Sequence, residues 1–442
     1  MIKVVSILLG VLVIAGGVFA WLLVKDKAPS GKSIQDNSAS SSSSGSGGKT
    51  KSRARKKSPA KFPSFDAFDP DKAFEEGELV VVNAPSGFAE GARSLGFVVL
   101  ERIQLGSIGM TAFRVRIPPR TKMGAARRSL AGRFPGAIID ANHQFDMSAE
   151  RRRSRSRTAT DSKKKKAIQS RVRAAIGWQK VSQSCGRNVT LGMIDSGLDL
   201  SHPALKGQKI EFKSFHNRKR RQGNSNHGTA VAAILVGKPS NKGWGGLFPT
   251  ARLKAANMFE FNKTGKMVGN SIGLLKSLNW LISKRVHVIN FSIAGSDNKV
   301  VRRAMSLARK SGIPMVAAVG NWGRADKPAF PAAYPDVVAV TAVGPYRSIY
   351  KKANTGNYVD FAAPGVKLWT AVPGGGGKYQ SGTSFSAPFL TAIVGLEAAA
   401  GRKTDARGLR SQLARGSKDL GAKGKDKTFG FGFVERKPNC RA

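Results

Sequence analysis

From Val4 to Val24 the chain runs for 21 apolar or small residues without a charge. That is long enough for a helix to cross a bilayer and longer than most signal-peptide cores. Val18-Phe19-Ala20 also offers the small residue that a signal peptidase needs, so a retained anchor and a cleaved signal both stay open for 1–27. Apolar character then disappears. Residues 28–61 are dominated by Ser, Gly, Lys and Arg, with Ser40 to Ser44 unbroken, and read as a tether that cannot build a core. Patterning resumes near Glu78. Leu79–Val82, Phe97–Ile103, Thr111–Ile117 and Ala137–Phe145 read as strands, with Phe113, Val115 and Ile117 alternating. Gly87–Leu95 and Lys122–Phe134 read as helices. The order βαββαβ predicts a small ferredoxin-like α+β domain over 62–147, with its helices on one face. Residues 148–175 read as a basic linker.

From Val189 the pattern changes to short apolar runs separated by longer helical ones. Val189–Ile194, Leu253–Met258, Val286–Ser292, Met315–Val319 and Val337–Val343 predict buried strands. Gly269–Lys284, Val300–Ser311 and Ser386–Ala399 predict helices. Such alternation predicts, over 176–442, an α/β fold with a mainly parallel sheet flanked by helices on both faces.

Charge adds a second theme. The 442 residues hold 74 basic and 27 acidic side chains, a net charge of +47. Eleven basic residues lie between Arg151 and Arg173, where exposed backbone is a natural processing region. From Gly177 onward 42 basic residues still face 13 acidic ones, so the folded part is basic as well. Attraction to anionic cell-envelope polymers or lipid follows from this excess, whereas specific nucleic-acid binding is not expected. Arg218–Arg221 is expected to be an exposed loop. The three lysines after the first apolar stretch, Lys25, Lys27 and Lys32, oppose export by the positive-inside tendency.

Candidate chemistry sits at element boundaries. Asp195, in Gly192-Met193-Ile194-Asp195-Ser196-Gly197, follows a predicted strand, where open α/β sheets place their sites. His227, in Asn226-His227-Gly228-Thr229, opens an apolar helix. Ser384, in Ser381-Gly382-Thr383-Ser384-Phe385-Ser386-Ala387-Pro388, precedes another. A serine hydroxyl needs an imidazole base, and the imidazole needs a carboxylate on its far nitrogen. Asn321, directly after a predicted strand, is the natural amide donor to an oxyanion. Cys185 and Cys440 flank this region and either close its ends as a disulfide or remain two free thiols. Neither has metal-ligand spacing. His143, His216 and His287 carry no partner signal, and His202 reads as structural.

Four segments, IDSGLDLSHPAL at Ile194, NHGTAVAAILVG at Asn226, AAVGNWG at Ala317 and SGTSFSAP at Ser381, resemble the peptidase domain of the subtilisin-like serine proteases, the subtilase family. The resemblance implies a serine endopeptidase with Asp195, His227 and Ser384 as its triad and Asn321 as oxyanion donor. It implies a substrate cleft lined by Ser292, Ile293, Ala294, Val319 and Gly320 that takes polypeptides in extended form. Residues 62–147 resemble, by layout and position, the inhibitory propeptide of secreted subtilases, making the chain's own propeptide a partner. An extracytoplasmic protein, secreted or membrane-anchored, is expected. Ala294 stands where the family usually has glycine and adds a methyl to the cleft wall. Ala204 replaces an acidic residue that often serves structural calcium, so no cofactor and no metal are expected. The competing reading is a catalytically idle basic scaffold that binds polyanions or the cell envelope.

Overall fold

The computed structural model describes residues 73–147, 171–179, 181–182, 184–240, 242–402, 405–436 and 440. The chain divides into two compact units, residues 1–64 and 65–442, and every described residue belongs to the second. The predicted anchor or signal, the Ser/Gly tether and residues 148–170 of the basic linker lie outside the described residues.

The N-terminal elements follow the predicted order: β1 (Phe74–Val82), α1 (Phe88–Ser94), β2 (Val98–Leu105), β3 (Met110–Arg116), α2 (Met123–Arg133) and β4 (Ile138–Met147). These strands pair antiparallel in the order β2-β3-β1-β4. In β1, Leu79, Val80, Val81 and Val82 are all fully buried, unlike the alternation of a sheet with one wet face. Leu79 and Val81 pack with Phe88 of α1 and Leu130 of α2. Val80 and Val82 point the other way, into a core shared with the C-terminal part. The helices lie on one face as predicted, while the opposite face is covered rather than open.

That cover comes from the larger α/β body. Its elements are β5 (Thr190–Asp195), β6 (Ile210–Ser214), α3 (Asn226–Val236), β7 (Arg252–Asn257), β8 (Phe259–Phe261), β9 (Met267–Asn270), α4 (Ser271–Ser283), β10 (Val288–Phe291), β11 (Ile293–Gly295), α5 (Lys299–Ala308), β12 (Met315–Ala318) and β13 (Val337–Val343). Then come β14 (Phe361–Pro364), β15 (Leu368–Val372), β16 (Gly376–Gln380), α6 (Ala387–Ala399), α7 (Ala406–Ala414), β17 (Ser417–Lys418) and β18 (Phe433–Val434). Nine strands form the central sheet in the order β17-β18-β14-β13-β12-β10-β5-β7-β6. Every pairing in it is parallel except β17 with β18.

The central strands are apolar on both faces because helices cover both. Leu191, Met193, Val288, Val316 and Val338 face a core shared with α3 and α6. Ile194, Ile289, Phe291, Ala317 and Val337 face the core of α4 and α5. The Cys185–Cys440 disulfide joins the two ends of this body, with the Cα atoms 5.4 Å apart.

A second sheet crosses the boundary between the two parts. Beyond β4 the N-terminal sheet continues into β9 and β8, and β11 also pairs with β4. Phe145, Asp146 and Met147 lie antiparallel to Gly295, Ala294 and Ile293. Gln144 and Phe145 pair with Asn270 and Gly269. The end of β4 is therefore held between two strands of the α/β body.

Candidate active site

Asp195 is the last residue of β5, at the carboxyl end of the parallel sheet. His227 is the second residue of α3. Ser384 sits in a single 3₁₀ turn, Thr383–Phe385, just ahead of α6, and Pro388 lies in the first turn of that helix. Pro costs nothing there because the first-turn N–H groups lack intrahelical partners. Three residues drawn from a strand end and two helix starts thus meet at one edge of the sheet.

Their side chains form one hydrogen-bonded chain. His227 Nδ1 lies 2.7 Å from Asp195 Oδ1, and His227 Nε2 lies 2.8 Å from Ser384 Oγ. A carboxylate only accepts, so Asp195 fixes the proton on Nδ1 and leaves Nε2 to accept from the hydroxyl. Asp195 and Ser384 have no exposed surface, and His227 is 5% exposed. The Ser196 N–H donates to Asp195 Oδ1 at 2.7 Å, while Ser196 Oγ accepts from the Gly228 N–H at 3.0 Å. That second bond draws the start of α3 against the end of β5. A Cβ at Gly228 would stand 2.5 Å from the Gly197 carbonyl oxygen, so only glycine permits the approach. The Phe385 ring lies 5.3 Å from the imidazole, between centroids, and packs against it.

Asn321 follows β12. Its Oδ1 accepts from the Thr383 N–H at 3.1 Å and from Thr383 Oγ1 at 3.0 Å. Those two bonds fix the amide orientation, and the buried Nδ2 keeps both protons without a partner among the described residues. Ser292 Oγ donates to the Ser384 carbonyl at 2.9 Å. It accepts from Asn290 Nδ2, whose Oδ1 accepts from Thr391 Oγ1. This buried relay from α6 through β10 holds the Ser384 backbone. Asn290 and Thr391 were not singled out from the sequence, although a polar residue inside the apolar run Val288-Ile289-Asn290-Phe291 is a visible signal.

The expected cleft residues are brought to the same place. Ile293 and Ala294 lie on β11 and pair with Met147 and Asp146. The Val319 carbonyl accepts from the Tyr358 hydroxyl at 2.7 Å, and the Gly320 carbonyl accepts from the Asn354 N–H at 3.1 Å. Gly295 is required where Phe145 enters, because a Cβ there would lie 2.5 Å from the ring. Phe145 has no exposed surface.

One expectation is corrected. Arg218, Lys219 and Arg221 are exposed, but Arg220 turns inward and bridges Glu75 of β1, at 2.7 Å, and Glu260 of β8, at 2.8 Å. Two buried carboxylates outweigh the solvation that a surface position would give it. The Glu75 hydrogen bond, reinforced by both carboxylate charges, pushes the Arg220 guanidinium pKa up. Burial pushes that of Glu260 up as well. Three of the four remaining histidines are tied to local structure through their ring nitrogens. His202 Nδ1 accepts from the Ala204 N–H and its Nε2 meets the Gly376 carbonyl. His287 Nδ1 accepts from the Thr190 N–H, and His216 Nδ1 meets Ser214 Oγ. His143 is half-buried in β4, and burial lowers its pKa. At Ala204 the side chain offers no oxygen for calcium, and no group of three His, Cys, Asp or Glu among the described residues is placed to hold a metal ion.

A carboxylate, an imidazole and a serine hydroxyl in series, at the carboxyl edge of a mainly parallel sheet, define the α/β proteins with a Ser-His-Asp site. The model of the subtilase family matches residues 186–432, more than half of the chain, and the chain belongs to that family. It is 30% identical over 257 residues to the minor extracellular protease Epr of Bacillus subtilis (strain 168), covering 57% of this chain and 38% of that one. It is 30% identical over 221 residues to the major intracellular serine protease of the same organism, covering 48% of this chain and 68% of that one. The chain thus spans much less than two thirds of the first relative's length. In fold it resembles fervidolysin from Fervidobacterium pennivorans, with a TM-score of 0.66 over 83% of this chain and 61% of that one, at 20% identity. A share of 83% is too large to lie within residues 186–432 alone, so the likeness in fold reaches beyond the stretch that the family model matches.

Proposed function

We propose that this protein is a serine endopeptidase made as a proenzyme and exported from the cytoplasm. The observation that carries the reading is the continuous chain Asp195–His227–Ser384. In the first step Ser384 Oγ attacks the peptide carbonyl carbon while His227 Nε2 takes its proton. Asp195 keeps the imidazole in the required tautomer and stabilises the imidazolium. Negative charge develops on the former carbonyl oxygen, where Asn321 Nδ2 and the Ser384 N–H donate to it. The intermediate collapses to an acyl-enzyme as the imidazolium protonates the leaving amine. Water, deprotonated by His227, then hydrolyses the ester and releases Ser384.

Proenzyme status is supported by the place of β4. Extended peptide binds such a cleft by adding a strand to its edges, and residues 144–147 already pair with β9 on one side and β11 on the other. The N-terminal domain of residues 62–147 then acts as a docked inhibitor, released by a cut between Met147 and Arg173. Export is supported by the disulfide, which is rare in reducing compartments. Among the described residues no helix is long and apolar enough to cross a membrane, and the stretch Val4–Val24 lies outside them. Polypeptides are the substrate class, and the basic surface adds affinity for anionic envelope polymers or lipid.

Ser384→Ala tests both parts. The variant should neither hydrolyse peptide nor react with a fluorophosphonate probe, and its full-length form should accumulate. Labelling equal to the unsubstituted protein would overturn the catalytic assignment. Normal processing of the variant would assign the cut to another protease.

A further inference from the structure

The N-terminal sheet meets the α/β body through two kinds of contact. Backbone pairing along β4 is open to any extended strand. The contact made by β1 is ionic and specific. Arg220 Nη2 donates to Glu75 Oε2 and Nη1 to Glu260 Oε1. The side chains of Glu75, Arg220 and Glu260 are 6%, 15% and 0% exposed. Gln144 Nε2 donates to the other Glu75 oxygen at 3.0 Å. The Asn217 N–H and Asn270 Nδ2 donate to Glu260 at 2.5 and 3.2 Å.

Each partner sits at an informative place. Glu75 belongs to the N-terminal sheet. Asn217 and Arg220 belong to the connection from β6 to α3, the segment that leads directly into His227. Glu260 lies on β8 and forms a bridge with Gln222 of that same connection. Asn270 ends β9, the cleft strand that pairs with Gln144, and caps α4 through its Oδ1. Undocking would remove Glu75 and leave Arg220 with Glu260 alone.

We propose that Arg220 is an interdomain latch, which recognises Glu75 of the docked N-terminal sheet and, through Glu260, ties that docking to the segment carrying His227. The proposal rests on the reading of residues 62–147 as a docked inhibitor. It assigns docking specificity to a charge triplet that backbone pairing cannot supply. It also makes the β6–α3 connection the part of the α/β body that senses whether the inhibitor is seated.

The test uses the full chain carrying Ser384→Ala, so that no self-cleavage intervenes, and reads amide hydrogen exchange. The amides of Gly269 and Asn270 and of Ala294 lie opposite β4 and are expected to report its opening, and those of 217–223 the latch. Removing one partner of a buried charge pair acts mainly on dissociation, by about thirty-fold or more. Arg220→Ala and Glu75→Gln should each raise exchange at all three segments by that order while leaving 315–318 and 337–343 unchanged. The exchanged pair Glu75→Arg with Arg220→Glu should restore most of the protection. Should Arg220→Ala fail to fold, Glu75→Gln and the exchanged pair decide. Protection within about threefold of the parent in Glu75→Gln, or an exchanged pair no better than its single variants, overturns the latch. Fluorophosphonate labelling of the unsubstituted protein after its cut between Met147 and Arg173 judges catalysis separately. A silent Ser384 together with charge-exchange rescue would sink the peptidase reading and leave the latch standing.

Discussion

Asn321 is gripped on its acceptor side alone, and that asymmetry bears on what the side chain does. With Oδ1 committed to Thr383 at two points, the amide cannot flip without losing both bonds, so Nδ2 is preset as a donor. Asn321→Ala should lower kcat by about 10²–10³-fold with little change in KM, since the bond is made in the transition state. Steady-state kinetics on a peptide substrate measure this, and a change confined to KM would count against the role. The triad residues and Asn321 were legible because each follows or opens an apolar run and has glycine close by. Arg220 was not, because its partner Glu75 lies 145 positions away and nothing in the local pattern marks which arginine of Arg218–Arg221 turns inward.

Single elements carry a different lesson. The strand β4 was foreseen, but its partners β9 and β11 were not. Register between distant strands is set by tertiary packing, here the seating of Phe145 against Gly295, and no local periodicity encodes it. The short strands β6, β8 and β14 to β18 were missed for the same reason. In β1, Glu78 shows how the N-terminal sheet depends on pH. Burial opposes its charge, yet the Arg114 fork, at 2.6 and 2.8 Å, and the Asn142 amide outweigh that and hold its pKa below the ordinary 4.5. A depressed carboxyl pKa contributes stability above its unfolded value, and that contribution fades as pH falls through the folded value. The Ser384→Ala chain should therefore lose thermal stability as pH drops below about 4.5. Glu78→Gln should be less stable near neutrality and show a flatter acid limb. Unfolding followed from neutral pH downward checks this, and parallel curves for the two chains would remove Glu78 from the account.

At the scale of the whole molecule, parallel strands and covering helices were legible, because burial on two faces leaves continuous apolar runs. The cover over the second face of the N-terminal sheet was not, since Val80 and Val82 would read the same whether packed on their own helices or on α4 and α5. The net charge of +47 predicts retention on heparin or anionic vesicles that falls steeply and linearly on a log–log scale with salt. Salt-independent retention would argue for a specific pocket instead.

The Cys185–Cys440 bridge encloses 254 residues between its ends, and the three triad residues all lie inside that ring. A protease at work meets other copies of itself, and surface loops are where their cuts fall. One cut in the chain between the two cysteines opens the ring into a line but divides it into no separate fragments. Nicked protein should keep its full mass without a reductant and separate into two pieces only once the bridge is reduced.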